Sequence, residues 1–168
     1  MKVLGVIPAR GGSKGVPEKN IKLLNSEPLI AHTIKTALKS NLSKVIVSTE
    51  SEKIADICKS FSANIPFLRP LSLSNDNAKS IDVAIHAFKK MEEIDLTNYD
   101  ALMLLQPTTP FRRVEDINNA ISELKNNKEL DSVISVVSVG GNHPARMKYI
   151  ENNLLIDPDF CEEYENQN

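Results

Sequence analysis

Short, unbroken apolar runs alternate along this chain with segments whose apolar residues recur at helical spacing. Val3–Ile7, Val45–Val47, Ala101–Leu105 and Val133–Val137 are runs of Val, Ile and Leu bounded by Pro, Gly or polar residues. A strand that is apolar on every position rather than every second one is buried on both faces. Between the runs, Leu29–Ser40 carries Ile30, Ile34, Ala37 and Leu38, and Ala78–Ile94 carries Ile81, Ile85, Phe88 and Met91. Val114–Asn126 carries Ile117, Ile121 and Leu124. Each set marks one face of a helix. Thr49 and Glu52 form a T-x-x-E capping box opening a further helix, with Ile54, Ile57, Cys58 and Phe61 on its inner side. Ile65–Leu68 reads as a weaker extended segment, broken by Pro66. Lys148–Ile156 reads as a small hairpin around Glu151-Asn152-Asn153. Strands alternating with helices predict an α/β fold: a doubly wound, mostly parallel sheet covered on both faces.

The 168 residues suit one domain with a core of its own. The net charge of -2 gives no general reason to expect nucleic acid as partner. No run approaches the roughly 20 apolar residues of a membrane span, and the start reads as a buried strand rather than a signal peptide. Cys58 and Cys161 have neither a disulfide framework's number nor a zinc site's spacing. A reducing, cytoplasmic setting is therefore expected.

In a parallel sheet the ligand lies beyond the carboxyl ends of the strands. Four stretches occupy that position: Pro8-Ala9-Arg10-Gly11-Gly12, Ser48-Thr49-Glu50, Gln106-Pro107-Thr108-Thr109 and Ser138-Val139-Gly140. The first continues as ARGGSKGVPEKN, Ala9 to Asn20. Its glycines Gly11, Gly12 and Gly15 allow tight turning and close approach of a ligand, and successive amides in such a turn make a concavity for anions. Arg10, Lys14 and Lys19 add three positive charges, as a triphosphate requires. The same composition also suits a solvated surface loop. Neither the G-x-x-x-x-G-K-[ST] loop nor the G-x-G-x-x-G fingerprint is present. Asp76 or Ser80 could cap the helix that carries Ile81, with Arg69 in a surface ion pair. Alternatively, Ser80 and the free amides near it could hold a polar ligand. Gln106 offers both a donor and an acceptor, which suits orienting a hydroxyl, while Thr109 suits capping the following helix. Arg146, in His143-Pro144-Ala145-Arg146, is either an exposed loop residue or a fork for a carboxylate. His32 and His86 read as packing or surface residues, and Cys58 as core.

ARGGSKGVPEKNIK with Pro28-Leu29-Ile30, then VSTE (Val47–Glu50), LRPLSLSNDNAKSID (Leu68–Asp82), LLQPTTPFR (Leu104–Arg112) and NHPARMK (Asn142–Lys148), resembles the nonulosonic acid cytidylyltransferases. These make CMP-sialic acid and its legionaminic, pseudaminic and KDN-type counterparts. The matches keep the family's order and spacing over nearly the whole chain. The resemblance implies a Rossmann-like nucleotidyltransferase core that transfers CMP from CTP to a nonulosonic acid and releases pyrophosphate. It implies that Arg10 and Lys19 are catalytic residues at the triphosphate, with Gln106 at the attacking hydroxyl. Pro8, Ala9, Gly11, Gly12, Ser13, Lys14, Asn20, Arg69, Ala78 and Ser80 would complete the nucleotide site. Ala78, where relatives often have Ser, would contribute backbone only. Thr108, Thr109 and Arg146 would join Gln106 at the sugar.

Relatives continue past the equivalent of Asn168 into an R-Q segment, dimer contacts and a D-x-D segment for Mg²⁺. The resemblance thus implies a single nucleotidyltransferase domain over 1–168, Mg²⁺ as cofactor with ligands beyond this chain, and a homodimer in the family. Two alternatives remain open: a CTP-binding module without turnover, and a cytidylyltransferase for another sugar acid such as the eight-carbon Kdo. Relatives of the latter kind usually lack the G-G-S-K-G of Gly11–Gly15.

Overall fold

A computed structural model describes residues 1–13, 15–138 and 148–156. The chain divides into two compact units, Met1–Val133 and Ile134–Asn168. In the first, β1 (Val3–Pro8) lies between β4 (Lys44–Ser48) and β5 (Ala101–Leu104), and both pairings are parallel. The chain leaves β1 to one side to form β4, then crosses over to form β5 on the other. The sheet is therefore wound in both directions from β1, and the point where direction reverses lies beside the carboxyl end of that strand.

Alternation along the strands explains why these runs are apolar throughout. Leu4 and Val6 of β1, with Ile46 of β4, pack with Ala87, Met91 and Tyr99. Ile7, Val45 and Val47 point the other way, into a core with Ile30, Ile34 and Ala37, Ile54 and Cys58, and Ile117. Helix α3 (Ser80–Asp95) thus covers one face, and α1 (Leu29–Leu38), α2 (Glu52–Lys59) and α4 (Val114–Asn126) cover the other. A two-stranded ribbon, β2 (Leu23–Leu24) with β3 (Glu27–Pro28), precedes α1. In the second unit the expected hairpin forms from β6 (Tyr149–Glu151) and β7 (Leu154–Ile156). Asn152 and Asn153 both take positive φ in its turn, as a two-residue hairpin turn demands.

Four expectations are corrected. Residues 133–138 form no strand. A strand exists through its backbone partners, and this run pairs in none of the described sheets, leaving Val136 and Val137 exposed. Helix α2 is capped by Ser51, whose Oγ accepts from the Ile54 amide, not by Thr49, whose Oγ1 accepts from the Ser51 amide. Helix α3 buries Val83, Ala84, Ala87 and Met91 and leaves Ile81 and Ile85 exposed. Its inner stripe is turned roughly a quarter-turn from the stripe of largest side chains, because the small Ala84 and Ala87 let the helix come close to the sheet. Lastly, Thr109 caps nothing: α4 opens after Arg113, whose amide donates to Asp116 at 2.9 Å.

Candidate active site

At the carboxyl ends of β1 and β5 lies a cleft of about 580 Å³, within the usual range for small-molecule sites. Three separate stretches wall it. Past β1 come Pro8, Ala9, Arg10, Ser13, Gly15, Val16, Lys19 and Asn20; Gln106, Pro107 and Thr108 follow β5. Arg69, Leu73, Asn75, Asp76, Ala78, Ser80 and Val83 close the remaining side. Of the residues singled out from sequence, Gly11, Gly12 and Thr109 are absent from this lining. Lys14 and Arg146 lie outside the described residues.

Local structure explains how the first wall is held. The ladder runs one step beyond β1, with the Ala9 amide donating to Ser48 O at 2.9 Å. Asn20 is buried and its Nδ2 donates to Arg10 O at 3.0 Å, tying the 3-10 turn Lys19–Ile21 back to the strand end. That turn begins after Glu18, which itself takes a left-handed φ of 52°. The loop glycines are not forced by crowding: a Cβ on Gly12 or Gly15 would meet nothing within 4 Å. What they leave is open space beside the backbone, which suits close approach of a ligand.

Among the described residues the charge on the lining is three cations, Arg10, Lys19 and Arg69, against the single carboxylate of Asp76. The two arginines are held differently. Arg10 Nη2 pairs with Asp76 Oδ1 at 3.0 Å and its Nη1 donates to Asn75 O at 2.9 Å. Asp76 is therefore a partner of Arg10; α3 follows Lys79 without any side-chain cap, so neither Asp76 nor Ser80 caps it. Arg69 is buried rather than in a surface pair. Its Nη2 donates to Glu50 Oε2 at 3.0 Å, its Nε to Ser74 Oγ at 3.0 Å, and its amide to Thr49 O at 2.8 Å. Burial pushes the Arg69 pKa below its ordinary value, Glu50 pushes it back up, and Arg10 adds a smaller downward push.

Sequence reading missed the connecting role of Glu50. Its Oε1 accepts from the Gly11 amide at 2.7 Å while Oε2 holds Arg69. The available signal was its place just after β4, where site residues gather. His32 and His86 fall where expected: His32 Nε2 bonds Leu24 O at 2.9 Å, and His86 meets the Phe67 ring edge-on. Cys58 is wholly buried. Among the described residues no group of three or more His, Cys, Asp or Glu side chains could hold a metal ion, and no helix is long and apolar enough to cross a membrane.

The geometry can be set beside known proteins. The chain is similar to the CMP-N,N'-diacetyllegionaminic acid synthase of Legionella pneumophila, 44% identical over 122 residues, covering 72% of this chain and 52% of that one. It is also similar to an N-acylneuraminate cytidylyltransferase of Escherichia coli O18:K1:H7, 38% identical over 147 residues, covering 87% of this chain and 33% of that one. The chain thus spans about half of the first relative and a third of the second. A CMP:2-keto-3-deoxy-manno-octonic acid synthetase complexed with CTP shares the fold, with TM-score 0.66 and 23% identity over 77% of this chain and 50% of that one. A family model described as cytidylyltransferase matches residues 4–164, so the chain belongs to the cytidylyltransferase family.

Proposed function

We propose that this chain carries the nucleotide-binding core of an enzyme that transfers CMP from CTP to the anomeric hydroxyl of a nonulosonic acid, releasing pyrophosphate. The observation that carries the reading is the convergence of Arg10, Lys19 and Arg69 on one cleft at the point where the sheet reverses direction. The names of the relatives, which make CMP-legionaminic acid or act on N-acylneuraminate, support the choice of acceptor class. An eight-carbon acceptor is the second option, and likeness of fold to a synthetase for such an acid does not favour it.

In the proposed reaction the anomeric oxygen attacks the α-phosphorus in line and loses its proton, and the bond from that phosphorus to the bridging oxygen of the β-phosphate breaks. Pyrophosphate leaves with the electron pair, so negative charge grows on the outer phosphates. Arg10 and Lys19, which line the cleft, would meet that charge, and donors of this kind are the largest source of stabilisation in phosphoryl transfer. Gly11, Gly12, Ser13 and Lys14 belong to the same loop, and Pro8, Ala9 and Asn20 would line the cytosine and ribose. Arg69, Ser80 and the backbone of Ala78 face the cleft from the opposite wall, where the cytidine part would rest. Gln106 can accept from and donate to sugar hydroxyls, with Thr108 beside it and Thr109 and Arg146 assigned to the same subsite. The expected Mg²⁺ finds no cluster of ligands among the described residues. A cytoplasmic, reducing setting goes with the reading and suits the free thiol of Cys58.

The test is to combine the protein with CTP, Mg²⁺ and a panel of nonulosonic acids and to measure pyrophosphate. Release with at least one acid is expected. CTP binding without pyrophosphate from any acid would leave the second reading, a CTP-binding module. Arg10→Ala should weaken CTP binding or abolish turnover; unchanged affinity and rate would remove Arg10 from its assigned role.

A further inference from the structure

Glu50 ties together two walls of the cleft that Arg10 also bridges through Asp76 and Asn75 O. One carboxylate oxygen accepts from the amide of Gly11, in the loop after β1, and the other takes the guanidinium of Arg69 from the opposite side. The pair is well shielded, with 3% of the Arg69 side chain and 12% of that of Glu50 exposed. Both distances, 2.7 and 3.0 Å, are within the range of N–H···O hydrogen bonds, and each has the carboxylate charge on its acceptor. The backbone reinforces the same junction, since Arg69 donates its amide to Thr49 O, the residue before Glu50.

The chemistry of the junction calls for a carboxylate. Gly11 N–H and Arg69 Nη2–H are both donors, so the group between them must accept on both sides. Gln has one acceptor oxygen and one donor nitrogen. Either way round, it would serve one partner and set an N–H against the other. Asp keeps two acceptors and the charge but is one methylene shorter.

We propose that Glu50 is a positioning residue that sets the spacing between the phosphate-side loop at Gly11 and the nucleoside-side arginine at Arg69. Nucleotide affinity then depends on it although Glu50 itself is not among the residues that line the cleft. The proposal rests on the reading of the cleft as a CTP site, and its test separates the two.

CTP binding is measured by titration calorimetry for the wild type, E50Q, E50D and D95N, together with hydrogen exchange of the Gly11 amide by NMR. Asp95 carries a comparable hydrogen-bonded carboxylate, on Lys44 and Tyr99 at the opposite end of the sheet, and serves as the control. E50Q is expected to weaken CTP about ten- to a hundredfold, as loss of a hydrogen bond to a charged group with displacement of two walls would. E50D should recover part of that loss, D95N should bind as the wild type does, and Gly11 exchange should quicken in E50Q. E50Q within twofold of a wild type that binds CTP, or D95N as weak as E50Q, overturns the proposal. If the wild type binds no CTP, the nucleotide reading falls. The brace is then decided by Gly11 exchange alone, and equal exchange in wild type and E50Q overturns it.

Discussion

Removing the Asp76 carboxylate should tighten CTP binding. The side chain of Arg10, assigned to the triphosphate, is engaged across the mouth of the cleft by Asp76 at 3.0 Å and by Asn75 O at 2.9 Å. To turn onto phosphate oxygens Arg10 must give up its ion pair, so the pair's strength subtracts from the nucleotide's affinity. The two side chains are 34% and 41% exposed, and an ion pair this open to water is worth about 0.2–1 kcal/mol. The several kcal/mol lost when one partner of a buried pair is removed do not apply. Asp76→Asn should therefore tighten CTP by about 1.4- to 5-fold, taking 1.4 kcal/mol per factor of ten. Repulsion between Asp76 and the incoming phosphates acts in the same direction. The assay is calorimetric titration of both proteins with CTP at about 0.1 M and about 1 M salt, where the screening length falls from roughly 10 to 3 Å. The gain should shrink at high salt. A weaker complex with Asp76→Asn would refute the reasoning, because Asp76 would then contribute to the bound state rather than compete with it.

Three further outcomes follow from the packing. Cys58 is fully buried and desolvation pushes its thiol up to about 12, so a thiol reagent should label it in urea but not in the native protein; native labelling at the rate of a free thiol would contradict its burial. Asp95 is held below its ordinary value of 3.8 first by its bond from Lys44 and then by that from Tyr99. A folded-state pKa below the unfolded one adds stability that is present above the unfolded value and lost as pH falls through the folded one. Asp95→Asn should accordingly be less stable than wild type at neutral pH, with the gap closing below about pH 3.8; a gap independent of pH would refute the charge argument. Leu4 is fully buried between β1's neighbours and α3, whereas Leu71 is exposed. Leu4→Ala should cost about 2–5 kcal/mol in urea unfolding and Leu71→Ala no more than about 0.5 kcal/mol, and equal costs would contradict the assigned core.

What the sequence made legible depends on how local the cause is. β1, β4 and β5 could be read directly because a strand covered on both faces must be apolar at every position, and Leu4, Val6 and Ile46 on one side and Ile7, Val45 and Val47 on the other are that requirement made visible. The hairpin at Asn152-Asn153 was equally local. Helix α3 was read as a helix but turned the wrong way, since apolar residues lie on more than one stripe and side-chain size does not say which stripe meets a sheet; Ala84 and Ala87 decided it by permitting close approach. Val133–Val137 has the composition of a strand and has no ladder partner among the described residues, a property no run carries within itself. Most of the cleft lining was legible through motif order. Asp76 was not, because its partner Arg10 stands 66 residues away while the nearest sequence signal pointed to a helix cap; nor was the pairing of Glu50 behind the lining, whose partner Arg69 stands 19 residues away.

Those two carboxylates divide the arginines of the cleft by how exchangeable their partners are. Glu50 and Arg69 are nearly out of water, and breaking such a pair strands a desolvated charge, so Arg69 should keep its partner whether or not a ligand is present. It can act only through donors that Glu50 and Ser74 leave over. Arg10 and Asp76 remain in contact with water, which can solvate either group as they part, so Arg10 can exchange a carboxylate for a phosphate at small cost. In the proposed reaction the two behaviours would serve different ends: the fixed Arg69 would define where the nucleoside sits, and the exchangeable Arg10 would move with the departing pyrophosphate. The burial of the two pairs, rather than the identity of the residues, would separate those proposed roles.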